Sequence, residues 1–326
     1  MKGFILGGLV SFLICMIVLP IVIFCIRRLK ANQSILHYVE MHKSKDGTPT
    51  MGGLAFLISV VLSTMFLLKD NSRLATIVIM CFLFYGLIGF FDDFIKVKFK
   101  QNLGLTAIQK IVAQLAIALA ITLYAYNSSM IGSDILLPFI NVSMELGVLF
   151  IPFSIITIIA IVNSVNLIDG LDGLCGGVSS VVLVVLGVIT AIGMSKGNDV
   201  YLGEINSLVI TLGTLVGGVI AFLVFNSKPA KIFMGDTGSL AIGGMIASFL
   251  VVTKQELVIL IVGIMYLLTA LSVILQVAFF KLTKKRIFKM APLHHHFEMT
   301  MGESKVVSTY VIITLVMGVA TIFMYL

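Results

Sequence analysis
The chain has 326 residues, 59% of them hydrophobic and 11% charged, with a mean hydropathy of +1.15. Soluble globular domains carry about 25% charged residues, so a water-soluble fold is excluded and the bilayer has to act as the solvent. The formal net charge of +7 comes without a soluble basic domain, which argues against a nucleic-acid partner.

Stretches of about 20 mostly apolar residues span a bilayer. They are predicted near 3–26, 52–68, 72–95, 105–127, 147–163, 176–195, 206–225, 237–253, 256–280 and 306–326. The expected fold is thus an all-α membrane protein of about ten transmembrane helices, a single polytopic domain over residues 1–326. The first apolar run follows Lys2 and exceeds the roughly 7–15 residues of a signal-peptide core, so it reads as a retained span. Cys15, Cys25, Cys81 and Cys175 show no CxxC spacing and read as small apolar residues. No repeat of fixed period is visible, so the inverted-repeat plan of many transporters is not supported.

Basic residues set the expected orientation. Of the 22 Lys and Arg, only Lys2, Lys69, Arg73, Lys196 and Lys254 lie at the N-terminus or in one set of alternate loops. The other set holds the rest, and the positive-inside rule makes that set cytoplasmic. Both termini are then expected outside, with an even number of spans. The excess charge is a topology signal and a contact for anionic lipid.

The polar clusters fall in the five cytoplasmic loops, whereas the outer connectors Ser128–Asp134 and Gly197–Glu204 carry no usable pattern. The first inner loop, Lys45 to Gly53, places a lysine and Thr50 before a helix start. The second begins with Asp92, Asp93 and Lys96 at the end of a hydrocarbon-like span. Acidic residues are disfavoured at a helix C-terminus, so a cation or Lys96 on the same face must offset them. Mg²⁺ suits one or two carboxylates plus substrate phosphates; a bare interfacial charge pair is the alternative. The third loop carries Asn163, Asn166, Asp169 and Asp172 at three-residue spacings, each aspartate followed by glycine. If the stretch is helical, the two carboxylates share a face; an Asp-Gly-rich turn is the alternative.

The fourth loop runs from Asn226 through Lys228, Lys231, Phe233 and Asp236 to Ser239 and enters an apolar helix. Free N–H groups there form an anion site, or Asp236 or Thr237 is simply the N-cap. The fifth loop holds a lysine-rich run from Lys281 to Lys289, then His294, His295, His296 and Glu298. Adjacent histidines diverge on a helix, so diphosphate contact, proton transfer or base recognition is easier to build than one shared metal. Gln276, a polar residue inside the ninth span, joins the candidate substrate-binding residues. Five aspartates, several lysines and three histidines on one membrane face suit phosphoryl transfer between a soluble nucleotide compound and a lipid. A transporter is disfavoured, because ionisable residues on a transport path sit at mid-membrane.

The motifs Asp92-Asp93-x-x-Lys96, Asn166-x-x-Asp169-Gly-x-Asp172-Gly and Gly235-Asp236-Thr237-Gly238-Ser239 resemble those of the polyprenyl-phosphate N-acetylhexosamine-1-phosphate transferases. Ala291 to Glu298 and Thr48 to Gly53 resemble the muramoyl branch, the phospho-N-acetylmuramoyl-pentapeptide transferases, and the resemblance covers essentially the whole chain. It implies transfer of phospho-MurNAc-pentapeptide from UDP-MurNAc-pentapeptide to undecaprenyl phosphate, giving lipid I and UMP with Mg²⁺, in the bacterial plasma membrane. The sister enzymes that use UDP-N-acetylglucosamine differ in the fifth loop. The resemblance also implies a homodimer and inhibition by nucleoside antibiotics. On this basis Asp92, Asp93, Asp236, Lys96 and His294 are the catalytic candidates. Asp236 and Asp169 are the metal candidates. Lys45, Thr50, Lys110, Asn163, Asn166, Asp169, Asp172, Asn226, Phe233, Gln276, His295 and His296 are the substrate-binding candidates.

Overall fold
The computed structural model describes residues 1–28, 47–68, 72–99, 101, 103–138, 140, 142–193 and 199–326, with the side chains of 199–201 left out. Lys45 lies outside the described residues. The fold is all-helical apart from one short hairpin: α1 (Lys2–Arg28), α2 (Gly53–Leu67), α3 (Arg73–Phe99), α4 (Ala107–Asn127), β1 (Asp134–Leu137), β2 (Val142–Glu145), α5 (Phe150–Ile168), α6 (Leu174–Gly193), α7 (Asp199–Asn226), α8 (Gly235–Val252), α9 (Ile259–Val262), α10 (Ile264–Thr283), α11 (Leu293–Met301) and α12 (Glu303–Phe323). In hydrocarbon every backbone polar group has to be satisfied within the segment, which is why such apolar runs fold as helices.

Among the described residues nine helices are long and apolar enough to cross a membrane, and α2 is a shorter apolar helix of 15 residues. At 1.5 Å per residue α2 covers about 22 Å, less than the roughly 30 Å hydrocarbon core. Its first turn is met by protein: Gly52 and Gly53 donate their N–H groups to the carbonyls of Phe233 and Met234, at 2.8 and 3.0 Å. The expected ninth span also needs correction. It opens with a 3-10 turn, Glu256–Val258, then α9, and it breaks at Gly263 before α10.

Helix α8 is the hub, buried from Thr237 to Val252 and packed against α3, α5 and α2. Small residues let its neighbours come close, the usual solution where lipid offers no hydrophobic drive between helices. A side chain at Gly89 of α3 would overlap the Asp236 carbonyl, and one at Gly53 of α2 would overlap Gly238. These two approaches set the start of α8 against α3 and α2.

The C-terminal ends of α3 and α5 and the N-terminal ends of α4 and α8 lie together at one end of the bundle. At the other end the connector after Ser128, which shows no pattern in the sequence, folds as an antiparallel hairpin pairing Asp134 with Glu145 and Leu137 with Val142. It docks through Leu136 N–H on the Lys254 carbonyl, 2.9 Å, and through the Asp134–Lys254 ion pair, 2.7 Å.

Candidate active site
Asp92 and Asp93 do not end their helix, as the predicted span implies; α3 continues to Phe99. Both carboxylates are buried, at 0% and 3% exposure, and the continuing turn supplies Lys96 on the same face. Lys96 Nζ stands 2.6 Å from Asp92 Oδ2 and 3.9 Å from Asp93 Oδ1. Lys110, one turn into α4, reaches Asp92 Oδ1 at 3.0 Å and Asp236 Oδ2 at 2.6 Å. Lys96 meets the same Asp236 oxygen at 3.3 Å. The Leu105 N–H donates to Asp92 Oδ1 at 2.8 Å, which ties the α3–α4 connection to the cluster.

Asp93 has a different task from Asp92. Its Oδ1 accepts the Asp236 N–H at 3.1 Å, and its Oδ2 accepts the Thr237 N–H and hydroxyl at 2.9 and 2.7 Å. The N-cap position of α8 is Met234, with no side-chain cap, so neither Asp236 nor Thr237 fills that role. A carboxylate from another helix satisfies the orphan N–H groups and opposes the positive end of the helix dipole. Asp236 is thereby left facing the lysines. Its Oδ1 accepts Asn166 Nδ2 at 2.9 Å, and the same nitrogen reaches Ser239 Oγ at 2.9 Å.

The Asp169–Gly173 segment is a turn. Helix α5 stops at Ile168, with Asp169 as its C-cap, and Gly173 has a positive φ of 79°. The shared-face arrangement of Asp169 and Asp172 is therefore not realised. Asp169 lies part-exposed at the end of α5, surrounded by protein that desolvates its carboxyl. That enclosure, followed by the negative charge of Asp236, Asp93 and Asp172, pushes it up to about 8. Asp172 is buried, and its Oδ2 accepts the Ala230 N–H at 3.1 Å. Asn226 accepts the Gly173 N–H at 2.9 Å and donates to the Ile232 carbonyl at 2.9 Å. Phe233, half-buried, is fixed through its backbone, which donates to the Pro49 carbonyl at 2.8 Å. Thr50 is buried beside Gly235.

His294 and His295 both lie against Gly170, with ring centroids 4.4 Å apart, whereas His296 turns to the basic loop. His294 is fully buried, with both ring nitrogens unpartnered among the described residues. A side chain at Gly170 would begin 2.5 Å from its Nε2. Burial, followed by the neighbouring His295, lowers His294 to about 3, so the ring is neutral. His295 Nδ1 pairs with Glu298 at 2.9 Å, and His296 Nδ1 accepts the Lys289 N–H at 3.2 Å.

A glycosyl transferase family 4 model matches residues 75–254, more than half of the chain. The phospho-N-acetylmuramoyl-pentapeptide-transferase signature 1 matches residues 45–57. The chain is 42% identical over 325 residues to the phospho-N-acetylmuramoyl-pentapeptide-transferase of Desulfitobacterium hafniense, covering 98% of this chain and 97% of the relative. It is 41% identical to that of Clostridioides difficile, covering 95% and 94%. For that of Thermoanaerobacter pseudethanolicus the identity is 43%, covering 97% and 96%. This chain belongs to the phospho-N-acetylmuramoyl-pentapeptide transferase family. It is a multi-pass membrane enzyme of that family.

Two of the transferase's candidate residues lie away from the cluster. Asn163 donates to Gln114 Oε1 and to the Ile159 carbonyl, at 2.7 and 2.8 Å, and so joins α4 to α5. Gln276 accepts the N–H groups of Ile287 and Phe288, at 3.1 and 2.9 Å, and holds the basic loop against α10. Other contributors escape a reading of the sequence. Gln114 sits alone in an apolar run, and Glu303, between Gly302 and Ser304-Lys305, gives no pattern. Ser239 belongs to the quoted glycine motif, where its partner Asn166 is not predictable.

Asp92, Asp93 and Asp236 bring carboxylate oxygens within 4.8 Å of one another. Oxygen donors suit a hard divalent cation, and Lys96 and Lys110 show that the space between these carboxylates accepts positive charge. The residues fit a metal. Asp169 lies outside this trio.

Proposed function
We propose that this chain transfers phospho-MurNAc-pentapeptide from UDP-MurNAc-pentapeptide to undecaprenyl phosphate, releasing UMP and forming lipid I. The observation that carries the reading is the part-buried cluster of Asp92, Asp236, Lys96 and Lys110 at one end of a membrane bundle. A lipid phosphate anchored in the bilayer and a nucleotide from the cytosol meet there. Mg²⁺ would be held by Asp236 with Asp92 or Asp169 and would neutralise diphosphate charge.

Phosphoryl transfer depends mainly on positioning and charge stabilisation. Asp92 accepts the proton of the undecaprenyl phosphate. A phosphate oxygen of the lipid then attacks the phosphorus bonded to the sugar, and the bond to the UMP oxygen breaks. Lys96 and Lys110 stabilise the charge that builds on the departing phosphate. Asp93 holds the start of α8, and with it Asp236, in register. The Asp169–Gly173 loop, Asn226 and Phe233 receive the nucleotide, and His294, neutral and unpartnered among the described residues, offers a hydrogen bond to it. The active end faces the cytoplasm, both termini face outward, and the enzyme works as a dimer that nucleoside antibiotics inhibit.

The test is UMP release by purified protein with undecaprenyl phosphate and either UDP-MurNAc-pentapeptide or UDP-N-acetylglucosamine, in Mg²⁺ or EDTA. Release from the muramoyl substrate alone, abolished by EDTA and reduced at least about 100-fold in Asp236→Asn, is the expected result. Release only from the acetylglucosamine compound would transfer the chain to the sister branch. Stable labelled phosphate on the enzyme, chased by lipid phosphate, would replace direct attack with a two-step route.

A further inference from the structure
Glu303 lies at the start of α12, 5% exposed, and has no part in the carboxylate–lysine cluster. Its Oε1 accepts the Asp172 N–H at 2.9 Å, and its Oε2 pairs with Lys228 Nζ at 2.9 Å. One buried carboxylate thus joins α12 to the α5–α6 turn and to the loop before α8. Asp172 in turn accepts the Ala230 N–H, and Asn226 closes the ring through Gly173 and Ile232. The opposite side of the turn meets α11, where His294 and His295 lie against Gly170. Only Gly302, with φ of 79°, separates α11 from α12. The turn is therefore held on two sides by one helical unit, α11–α12. A buried anion remains in such a place only if it is paired and hydrogen-bonded.

We propose that Glu303 is a positioning residue, whose carboxylate fixes the Asp169–Gly173 turn for the soluble nucleotide substrate. The proposal rests on the transferase reading above for its substrate but on the geometry alone for the tether. Without Glu303 the turn loses its hold on α12. The Asp92–Lys96–Lys110–Asp236 cluster keeps its own anchors in α3, α4 and α8. The loss consequently falls on one substrate: KM for the nucleotide rises, while KM for the polyprenyl phosphate stays as it is.

The experiment compares wild type, Glu303→Ala and Glu303→Gln in detergent. It measures KM for both substrates, kcat, and hydrogen exchange of the peptide covering residues 163–175. Glu303→Ala is expected to raise the nucleotide KM about tenfold, with kcat within about threefold and the lipid KM unchanged, and to speed exchange at the Asp172 amide. Glu303→Gln keeps an oxygen for that amide and is expected to hold exchange slow and the nucleotide KM within about threefold of wild type. If Glu303→Ala does not fold, Glu303→Asp, one methylene short of the reach, takes its place. Unchanged exchange, parallel rises in both KM values, or a glutamine variant as impaired as alanine would overturn the proposal. An inactive wild type would refute the transferase reading, and the exchange result would still decide the tether.

Discussion

Lys96 and Lys110 approach the same oxygen of Asp236, at 3.3 and 2.6 Å, and both also touch Asp92. Their positions along the chain explain why they differ in legibility. Lys96 follows Asp92 by four residues, so helical spacing alone places it on the same face. Lys110 arrives from another helix, and its candidacy came from the family resemblance. Three carboxylates facing two ammonium groups leave the site short of positive charge, which suits it to a cation and a diphosphate together. Replacing Lys110 with glutamine leaves Asp236 with one cation fewer. The expected outcome is a fall in kcat of at least about tenfold with a smaller change in nucleotide KM, because the charge it balances develops in the transition state. A rise in KM with unchanged kcat would show instead that Lys110 acts in ground-state binding.

At the scale of elements, α8 and α11 show how helix ends are used. The first turn of α8 is capped from α3 by Asp93, so a carboxylate that reads as catalytic in sequence has a structural task as well. Helix α11 carries a neutral buried histidine, and this gives a pH prediction. The folded value for His294, about 3, lies below the unfolded value of about 6.5. Between these limits the unfolded chain binds the extra proton, so stability is complete above about 6.5 and is lost as pH falls toward 3. Asp169, pushed up to about 8 chiefly by burial, acts with the opposite sign, since the native state binds its proton. The His294 contribution is isolated by difference. Melting of wild type and His294→Gln in detergent from pH 7 to 4.5 should converge as pH falls, at up to about 1.4 kcal/mol per pH unit. Parallel curves would mean that the His294 ring is charged or solvated in the folded protein.

At the scale of the whole molecule, the excess of basic residues in one set of loops predicts the orientation. With Cys25, the exposed cysteine, replaced by serine, Ser129→Cys should react with a membrane-impermeant maleimide on intact cells. Lys285→Cys should react only after permeabilisation. The reverse pattern would place the carboxylate cluster outside, away from cytosolic nucleotide, and would contradict the positive-inside reading.

Hydropathy alone established the membrane, nine or ten apolar helices and their approximate limits. Each of these follows from the lipid requirement that apolar segments satisfy their own backbone, which is local in the chain. The short α2 and the hairpin after Ser128 were not legible, because each depends on partners distant in sequence: Phe233 and Met234 for α2, and Lys254 for the hairpin. The same division holds at the site. Asp92, Asp93, Lys96, Asp169, Asp172, Asp236 and the histidines stand in short motifs that the sequence displays. Tertiary structure decided that Asp93 caps α8 and that Asp169 and Asp172 lie in a turn. It also decided that Asn163 binds a neighbouring helix, that Gln276 holds the basic loop and that Glu303 joins the Asp169–Gly173 turn. A side chain's role is set by what surrounds it, and those surroundings are assembled by the close packing of α8 against α3 and α5, which no window of sequence contains.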